Sequence, residues 1–368
     1  MILTRYIYRE IYWNLLVITI ILMTVLVMNE FSHYLKAVAA GKLTIGDAEL
    51  FTALQLIAML TYLLPLGLFL SILLGLGRMY IDNEMTVISA CGVSFLKQTL
   101  IVLSFAGLVA LFSAWLSLWL NPLVNYEMEH IKVRLINNFQ IGTLVPKRFE
   151  TFGKHVVYAT KVSHGNNTIK GVFLAEKHAL NRWDIVVAQE ATQQSMPDTD
   201  GKFIVVKNGI RYTGIPGTPD FTVSKFTSYG VNTQSDFLLG KHTAVTNRAY
   251  NKSIGSVSST DLWHADSHDR YAMAELQLRL AIPLSVLIAS LIAVALSKVN
   301  PRYGRFSALI PAIILYLVYA NLIFLSRSWM QRGTIPASLG MWWVHGLMLV
   351  VLVFLFLYRV GWRRLCKF

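Results

Sequence analysis

The chain has 368 residues, 55% hydrophobic and only 14% charged, against about 45–50% and 25% in an average soluble domain. Those proportions exclude an ordinary water-soluble globule. The formal net charge of +13 invites a nucleic-acid reading, but the polar stretch from Asn125 to Tyr271 holds 17 basic and 13 acidic residues, a net of only +4, and most of the excess borders apolar runs.

A helix needs about 20 apolar residues to cross a hydrocarbon core about 30 Å thick, and backbone amides in lipid must be bonded within the segment. Six runs meet that length: about Ile11 to Phe31, Leu54 to Leu76, Leu96 to Leu120, Leu276 to Leu296, Phe306 to Leu325 and Leu339 to Tyr358. Pro65, Pro283 and Pro311 are expected to kink or locally unwind them. Arg5 and Arg9 before the first run, with Ala37-Val38-Ala39 after it, imitate a secretory signal. The run is longer than an h-region, and Lys36 interrupts before the alanines, so the segment is expected to stay as a span. Glu30 is the only carboxylate inside a predicted span; near the outer end, it can reach water or pair with Lys36.

Lys and Arg in short loops are retained in the cytoplasm. Arg5, Arg9, Arg78, Lys97, Lys298, Arg302, Arg305, Arg359, Arg363, Arg364 and Lys367 mark one set of span ends, and only Lys36, Lys42, Arg327 and Arg332 mark the other. Both termini are therefore expected in the cytoplasm, with the long segment between spans three and four outside. The two cysteines, Cys91 and Cys366, then lie in reducing surroundings.

Between spans two and three, Arg78 to Val93 reads RMYIDNEMTVISACGV. Asp82 or Asn83 can cap a short helix carrying Met85, Val87, Ile88 and Cys91 that ends at Gly92. Such a helix suits docking into a soluble motor or lying at the lipid interface, and the spacing alone leaves both open.

The insert is expected to be β-structure. Short runs rich in Val, Ile, Phe, Tyr and Thr cover His155 to Val162, Gly171 to Ala175, Ile185 to Ala188, Phe203 to Val206, Ile210 to Thr213 and Phe221 to Tyr229. Gly165-Asn166-Asn167 and Lys207-Asn208-Gly209 supply turn chemistry. The regular spacing implies a sandwich, barrel or jelly roll. Asn121 to Leu135 and Leu262 to Gln277 are expected to be helical stalks, and 241–260 a polar loop. The resulting division is 1–124 with three spans and a cytoplasmic helix at about 82–92, 125–271 as the periplasmic β domain, and 272–368 with three more spans.

Arg78 to Val93, together with Ser297 to Gly304 (SKVNPRYG), Arg305 and Leu309-Ile310-Pro311-Ala312, resembles the LptF/LptG family of lipopolysaccharide export permeases, the LptF branch better. The resemblance runs through the membrane parts and more loosely through Val156-Val157-Tyr158 and Gly171 to Ala175 of the insert. It implies an α-helical membrane protein with six transmembrane helices and an inserted periplasmic jelly-roll-like domain. By the same resemblance the chain is the transmembrane subunit of an ABC-type exporter in the bacterial inner membrane. It would pair with LptG on an LptB ATPase dimer, with LptC continuing the path, and extract lipopolysaccharide for a periplasmic bridge. The family's coupling helix falls on Asp82 to Gly92, with Glu84 as its acidic contact and Asp82, Met85 and Ile88 beside it. Its lipid A phosphate ligands fall near His33, Lys36 and Lys42. Arg327 borders the lateral gate, while Arg302 and Arg305 either anchor headgroups or touch the ATPase.

No phosphate-binding loop exists, because Gly41-Lys42, Gly153-Lys154, Gly201-Lys202 and Gly240-Lys241 are followed by Leu, His, Phe and His. Hydrolysis is thus expected on a partner chain, with no cofactor here. Two alternatives stand beside this reading. A lipid-modifying membrane enzyme has as its nearest support His264 and His268 at i and i+4. A proton-coupled secondary transporter would need buried midplane carboxylates.

Overall fold

The computed structural model describes residues 2–39, 43–137, 146–152, 155–163, 168–177, 182–195, 202–232, 254–266, 269–298 and 309–360. The chain divides into two compact units. One comprises Met1–Glu30, Ala53–Glu127 and Asn251–Phe368, the other Phe31–Thr52 and Met128–Tyr250.

The first unit is a helical bundle. The long helices that build it, of which α1, α2 and α5 each have one end assigned to the second unit, are α1 (Ile2–Ala39), α2 (Ile45–Ile81), α4 (Phe95–Trp115), which continues through a π-helical turn (Leu116–Leu120) into α5 (Asn121–Asn137), α7 (Arg270–Leu296), α8 (Leu309–Arg332) and α9 (Trp342–Val360). Short helices α3 (Glu84–Ala90) and α6 (Ser259–His264) lie between them. Six helices among the described residues are long and apolar enough to cross a membrane.

Helix α7 is the hub and packs against α4, α8 and α9. Its buried face is rich in small residues, including Ala274, Ala281, Ser285, Ala289, Ser290 and Ala293. Lipid tails are as apolar as Leu, so helices in membranes associate by close packing of such faces. Of the two expected effects, kinking or local unwinding, unwinding does not occur at Pro283 or Pro65, because both helices stay continuous. Proline at 283 has no N–H for the carbonyl of Arg279, and Ser117 of the π-helical turn donates its hydroxyl to that oxygen at 3.0 Å instead. Pro311 falls in the first turn of α8, where a missing N–H costs nothing.

Helix α1 is held differently. Leu3, Ile7, Ile11 and Leu15, four residues apart, pack into the bundle core, and Ile7 and Ile11 are fully buried. Beyond them Val17, Ile20, Ile21, Val25 and Met28 are exposed. Its seat on α2 is the stripe Gly67-x3-Ser71-x3-Gly75. A Cβ at Gly67 would lie 3.0 Å from Thr19 Oγ1, and one at Gly75 3.1 Å from Asn14 Nδ2.

The expected stalk after span three is present as α5. The second is interrupted, because α6 ends at His264 and Asp269 starts α7 anew, its carboxylate accepting from the amides of Tyr271 and Ala272.

The second unit contains a six-stranded antiparallel sheet whose strands pair in chain order: β1 (Phe149–Phe152), β2 (His155–Ser163), β3 (Thr168–Lys177), β4 (Trp183–Ser195), β5 (Lys202–Gly214) and β6 (Phe221–Asn232). The inserted β domain is thus as expected, and its described strands form a meander. One turn is not where the sequence places it. Lys207-Asn208-Gly209 lies inside the single strand β5, so Phe203 to Val206 and Ile210 to Thr213 are one element. Asn208 does adopt a positive φ of 50°, and so does Gly171, at 63°. Both lie on a line across the sheet where each of the four ladders from β2 to β6 skips one pair. The buried residues change parity there, from Val172 and Leu174 to Ile169 on β3 and from Val186 and Ala188 to Ala191 on β4, yet they form one apolar cluster. The left-handed residues shift the side-chain alternation so that both halves of the sheet feed one core.

Candidate functional site

At one end of the bundle, Tyr80 accepts from Asn83, which takes φ 59° and ψ 7° and turns the chain from α2 into α3. Asn tolerates this left-handed conformation. Asn83 occupies the N-cap position but its side chain makes no capping bond, so the expected side-chain cap is replaced by a backbone turn. Gly92, at φ 87°, ends the helix as the sequence implies, and Ser94 caps α4 by accepting from the Lys97 amide.

The four residues expected at a coupling contact separate into two groups. Met85 is 2% exposed inside this chain's own core, and Ile88 packs against it, so both seat the helix rather than offer it. Asp82 is exposed and Glu84 half-buried. The outward face is Asn83, Thr86, Val87, Ala90 and Cys91, with Val87 at 60%. Glu84 is not isolated: the Tyr6 hydroxyl donates to its Oε2 at 2.8 Å. Arg78 Nη2 reaches the same hydroxyl at 3.4 Å, while its Nε lies 3.0 Å from Glu10 Oε1 and its Nη1 3.9 Å from Asp82.

Arg359, expected as a topology anchor, has a structural task. Its guanidinium lies 4.3 Å from the Phe95 ring centroid and 5.3 Å from that of Tyr80. It donates to the Tyr80 hydroxyl and to the carbonyls of Val294 and Ala295. Those carbonyls belong to the last turn of α7, which has no amides of its own to satisfy them. One side chain therefore joins the ends of α2, α4, α7 and α9.

The cations expected to meet a phosphorylated lipid are only partly described. His33 and Lys36 are exposed on α1, and Lys42 lies outside the described residues, as do Arg302 and Arg305. The following helix α2 is capped by Thr44, whose Oγ1 accepts from the Asp47 amide while Asp47 Oδ2 accepts from the Thr44 amide and hydroxyl. Tyr34 stacks on Phe51 at 5.5 Å.

Arg327 is committed to a partner. Its Nη2 lies 2.5 Å from Glu275 Oε2, and Glu275 Oε1 accepts from Arg279 Nε at 3.2 Å. The Arg279 side chain is 3% exposed. It also donates to Ser259 Oγ at 2.8 Å and to the Gly255 carbonyl at 3.1 Å, and Ser259 in turn donates to Leu118 O in the π-helical turn. This cluster ties α7, α8, the π-helical turn and the segment before α6 together. Sequence reasoning missed it by starting span four at Leu276, one residue past Glu275. The signal was Glu275-x3-Arg279, two opposite charges at i and i+4 at the head of an apolar run. Nearby, Gln277 bridges to the loop before α9 through Ala337 O and the Met341 amide.

Of the possible metal ligands, His264 is exposed and His268 lies outside the described residues. No group of three or more His, Cys, Asp or Glu side chains suited to a metal occurs among the described residues.

Comparison with known proteins agrees with this arrangement over almost the whole chain. Residues 5–358 match the family of lipopolysaccharide export system permeases LptF/LptG. The lipopolysaccharide export system permease proteins LptF of Escherichia coli strain K12 and of Shigella flexneri are each 28% identical over 373 aligned residues, covering 99% of this chain and 97% of theirs. With the match running through all six apolar helices and the inserted sheet, the chain belongs to the LptF/LptG family and is a multi-pass inner-membrane protein, a transmembrane subunit of the lipopolysaccharide export system.

Proposed function

We propose that this subunit pairs with an LptG-type permease on a dimeric LptB-type ATPase, takes lipopolysaccharide from the inner membrane and delivers it to a periplasmic bridge that starts at an LptC-type protein. The observation that carries the reading is the short helix α3, seated in the bundle by Met85 and Ile88 while Thr86, Val87, Ala90 and Cys91 face outward. A transport subunit with no phosphate-binding loop of its own needs a surface of this kind to receive the motion of a separate ATPase.

The cation asymmetry supports placing α3 and both termini in the cytoplasm and the sheet in the periplasm. Glu84 then meets an arginine of the ATPase in a charge-assisted bond, with Asp82 adding negative potential beside it. At the opposite membrane face His33, Lys36 and Lys42 meet the lipid A phosphates. Arg302 and Arg305 anchor headgroups beside the SKVNPRYG turn. Arg327 has no place in this contact set, because its guanidinium is engaged by Glu275.

The test is copurification of the chain with its membrane neighbours and the ATPase, followed by ATP-dependent release of lipopolysaccharide to a periplasmic acceptor. A Glu84→Ala complex should lose about 1.5–3 kcal/mol of docking energy and with it transport and stimulated hydrolysis. Full ATPase stimulation in the Glu84→Ala complex would remove this residue from the mechanism.

A further inference from the structure

The side chains that α1 gives to the apolar core, Leu3, Ile7, Ile11 and Leu15, all lie in its first four turns, at the end where α3 lies. Ile7 and Ile11 are fully buried there, and the Tyr8 hydroxyl is 2.6 Å from Ser104 Oγ of α4. Just beyond this anchor, side chains from α1, α2 and α3 form a connected polar chain. Asn14 donates to the Glu10 carbonyl and carboxylate; Glu10 pairs with Arg78; Arg78 reaches the Tyr6 hydroxyl; and that hydroxyl donates to Glu84. Gly75 carries no side chain where Asn14 and Glu10 lie against α2, which leaves room for this arrangement.

Two consequences follow from the chemistry. A carboxylate with one oxygen held by a phenol has a fixed orientation, and its second oxygen remains available to a guanidinium from outside. In addition, Tyr6 and Glu84, 78 positions apart, are bridged by a single hydroxyl, so a displacement of α3 pulls on the start of α1 without passing along α2. Helix α1 carries the long exposed apolar face, so it is the element whose movement would reshape the membrane-facing surface.

We infer that Tyr6 and Arg78 are positioning residues that orient Glu84 and tie α3 to α1, so that the ATPase stroke is passed directly to the first helix. The inference rests on the proposed role of Glu84. It assigns to Tyr6 a task that packing alone would not require, because phenylalanine would fill the same volume.

The experiment uses the whole transporter in proteoliposomes, with purified lipopolysaccharide and a periplasmic acceptor, comparing the unsubstituted complex with Tyr6→Phe, Glu84→Gln and the double variant. The readout is lipopolysaccharide delivered per ATP hydrolysed, together with the yield of assembled complex. Tyr6→Phe should assemble at the unsubstituted yield and lower that ratio roughly three- to tenfold, the range for the net contribution of one hydrogen bond. The double variant should be no worse than Glu84→Gln alone, since Tyr6 acts by orienting the carboxylate charge that Glu84→Gln already removes. An unsubstituted ratio in Tyr6→Phe beside an impaired Glu84→Gln would overturn the tie while leaving the role of Glu84 intact. Losses that multiply in the double variant would overturn it too, because Tyr6 would then act through another group. An unimpaired Glu84→Gln would overturn the contact with the ATPase and the tie together.

Discussion

Replacing Glu275 by Gln keeps the shape of the side chain and removes its charge. In the native bundle this carboxylate faces two guanidiniums, at 3.2 Å and 2.5 Å, with side-chain exposures of 8% for Glu275, 3% for Arg279 and 25% for Arg327. Removing the anion from a buried pair typically costs about 3–5 kcal/mol, because the remaining charge stays out of water without a partner. Arg279 keeps its bonds to Ser259 and the Gly255 carbonyl, which argues for the lower end, about 3 kcal/mol. That is roughly a 150-fold fall in the folded ratio. Arg327→Gln should be milder, at about 1 kcal/mol, since Arg327 is partly exposed and Glu275 keeps Arg279. The combined Glu275→Leu and Arg279→Met variant should recover much of the loss, because a buried ion pair replaced by apolar groups of similar size is often nearly neutral. Thermal challenge of the purified complex in detergent, read as the surviving monodisperse fraction, would rank the three. Equal survival of Glu275→Gln and the unsubstituted complex would refute the electrostatic account of this cluster.

Two further substitutions probe how the helices and the sheet are built. Gly75→Leu should push Asn14 and Glu10 off α2 and weaken the Glu10–Arg78 pair, costing about 1–3 kcal/mol; a complex with unchanged thermal survival and transport would show that α1 is seated elsewhere. Gly171→Ala asks a Cβ to lie 2.3 Å from Thr160 Oγ1 in a residue with φ 63°. It should cost about 1–3 kcal/mol and reduce hydrogen-exchange protection in β2 to β4, and native protection there would contradict the parity shift at this position.

The six spans and the β insert were readable because both signals are averages over many residues: a long apolar run survives any single exception, and alternating Val, Ile and Phe mark a strand wherever it pairs. The misreadings are local. Lys207-Asn208-Gly209 has the composition of a hairpin turn, and Asn208 does take the positive φ that composition implies. What decides between reversal and continuation is pairing on both sides. Strand β5 has β4 along one edge and β6 along the other, and reversing at Asn208 would abandon both ladders. The prolines in α2 and α7 teach the same lesson. Pro283 is disruptive only if the carbonyl it leaves is unsatisfied, and the group that satisfies it, Ser117, lies 162 positions away from the acceptor residue.

For the functional residues the limit is sharper, because a charge count assigns a side chain to a membrane face without saying whether another side chain has already claimed it. Arg78, Arg327 and Arg359 all count as boundary cations in the sequence, yet each joins elements in the structure: Arg78 binds Glu10 and reaches Tyr6, Arg327 binds Glu275, and Arg359 closes the last turn of α7. His33 and Lys36, by contrast, stand exposed on a helix whose neighbouring face is apolar. The distinction matters for selectivity. A guanidinium held by a carboxylate or by a helix terminus has little free potential to offer a phosphate, whereas an exposed lysine beside an imidazole keeps its charge available, and its field is limited mainly by ionic strength. On the function proposed above, attraction of an anionic lipid would rest on His33 and Lys36 of α1 more than on these three arginines. If so, raising salt should weaken lipopolysaccharide capture in a Lys36→Gln complex less than in the unsubstituted one, and equal salt sensitivity in the two would place the capturing charge elsewhere.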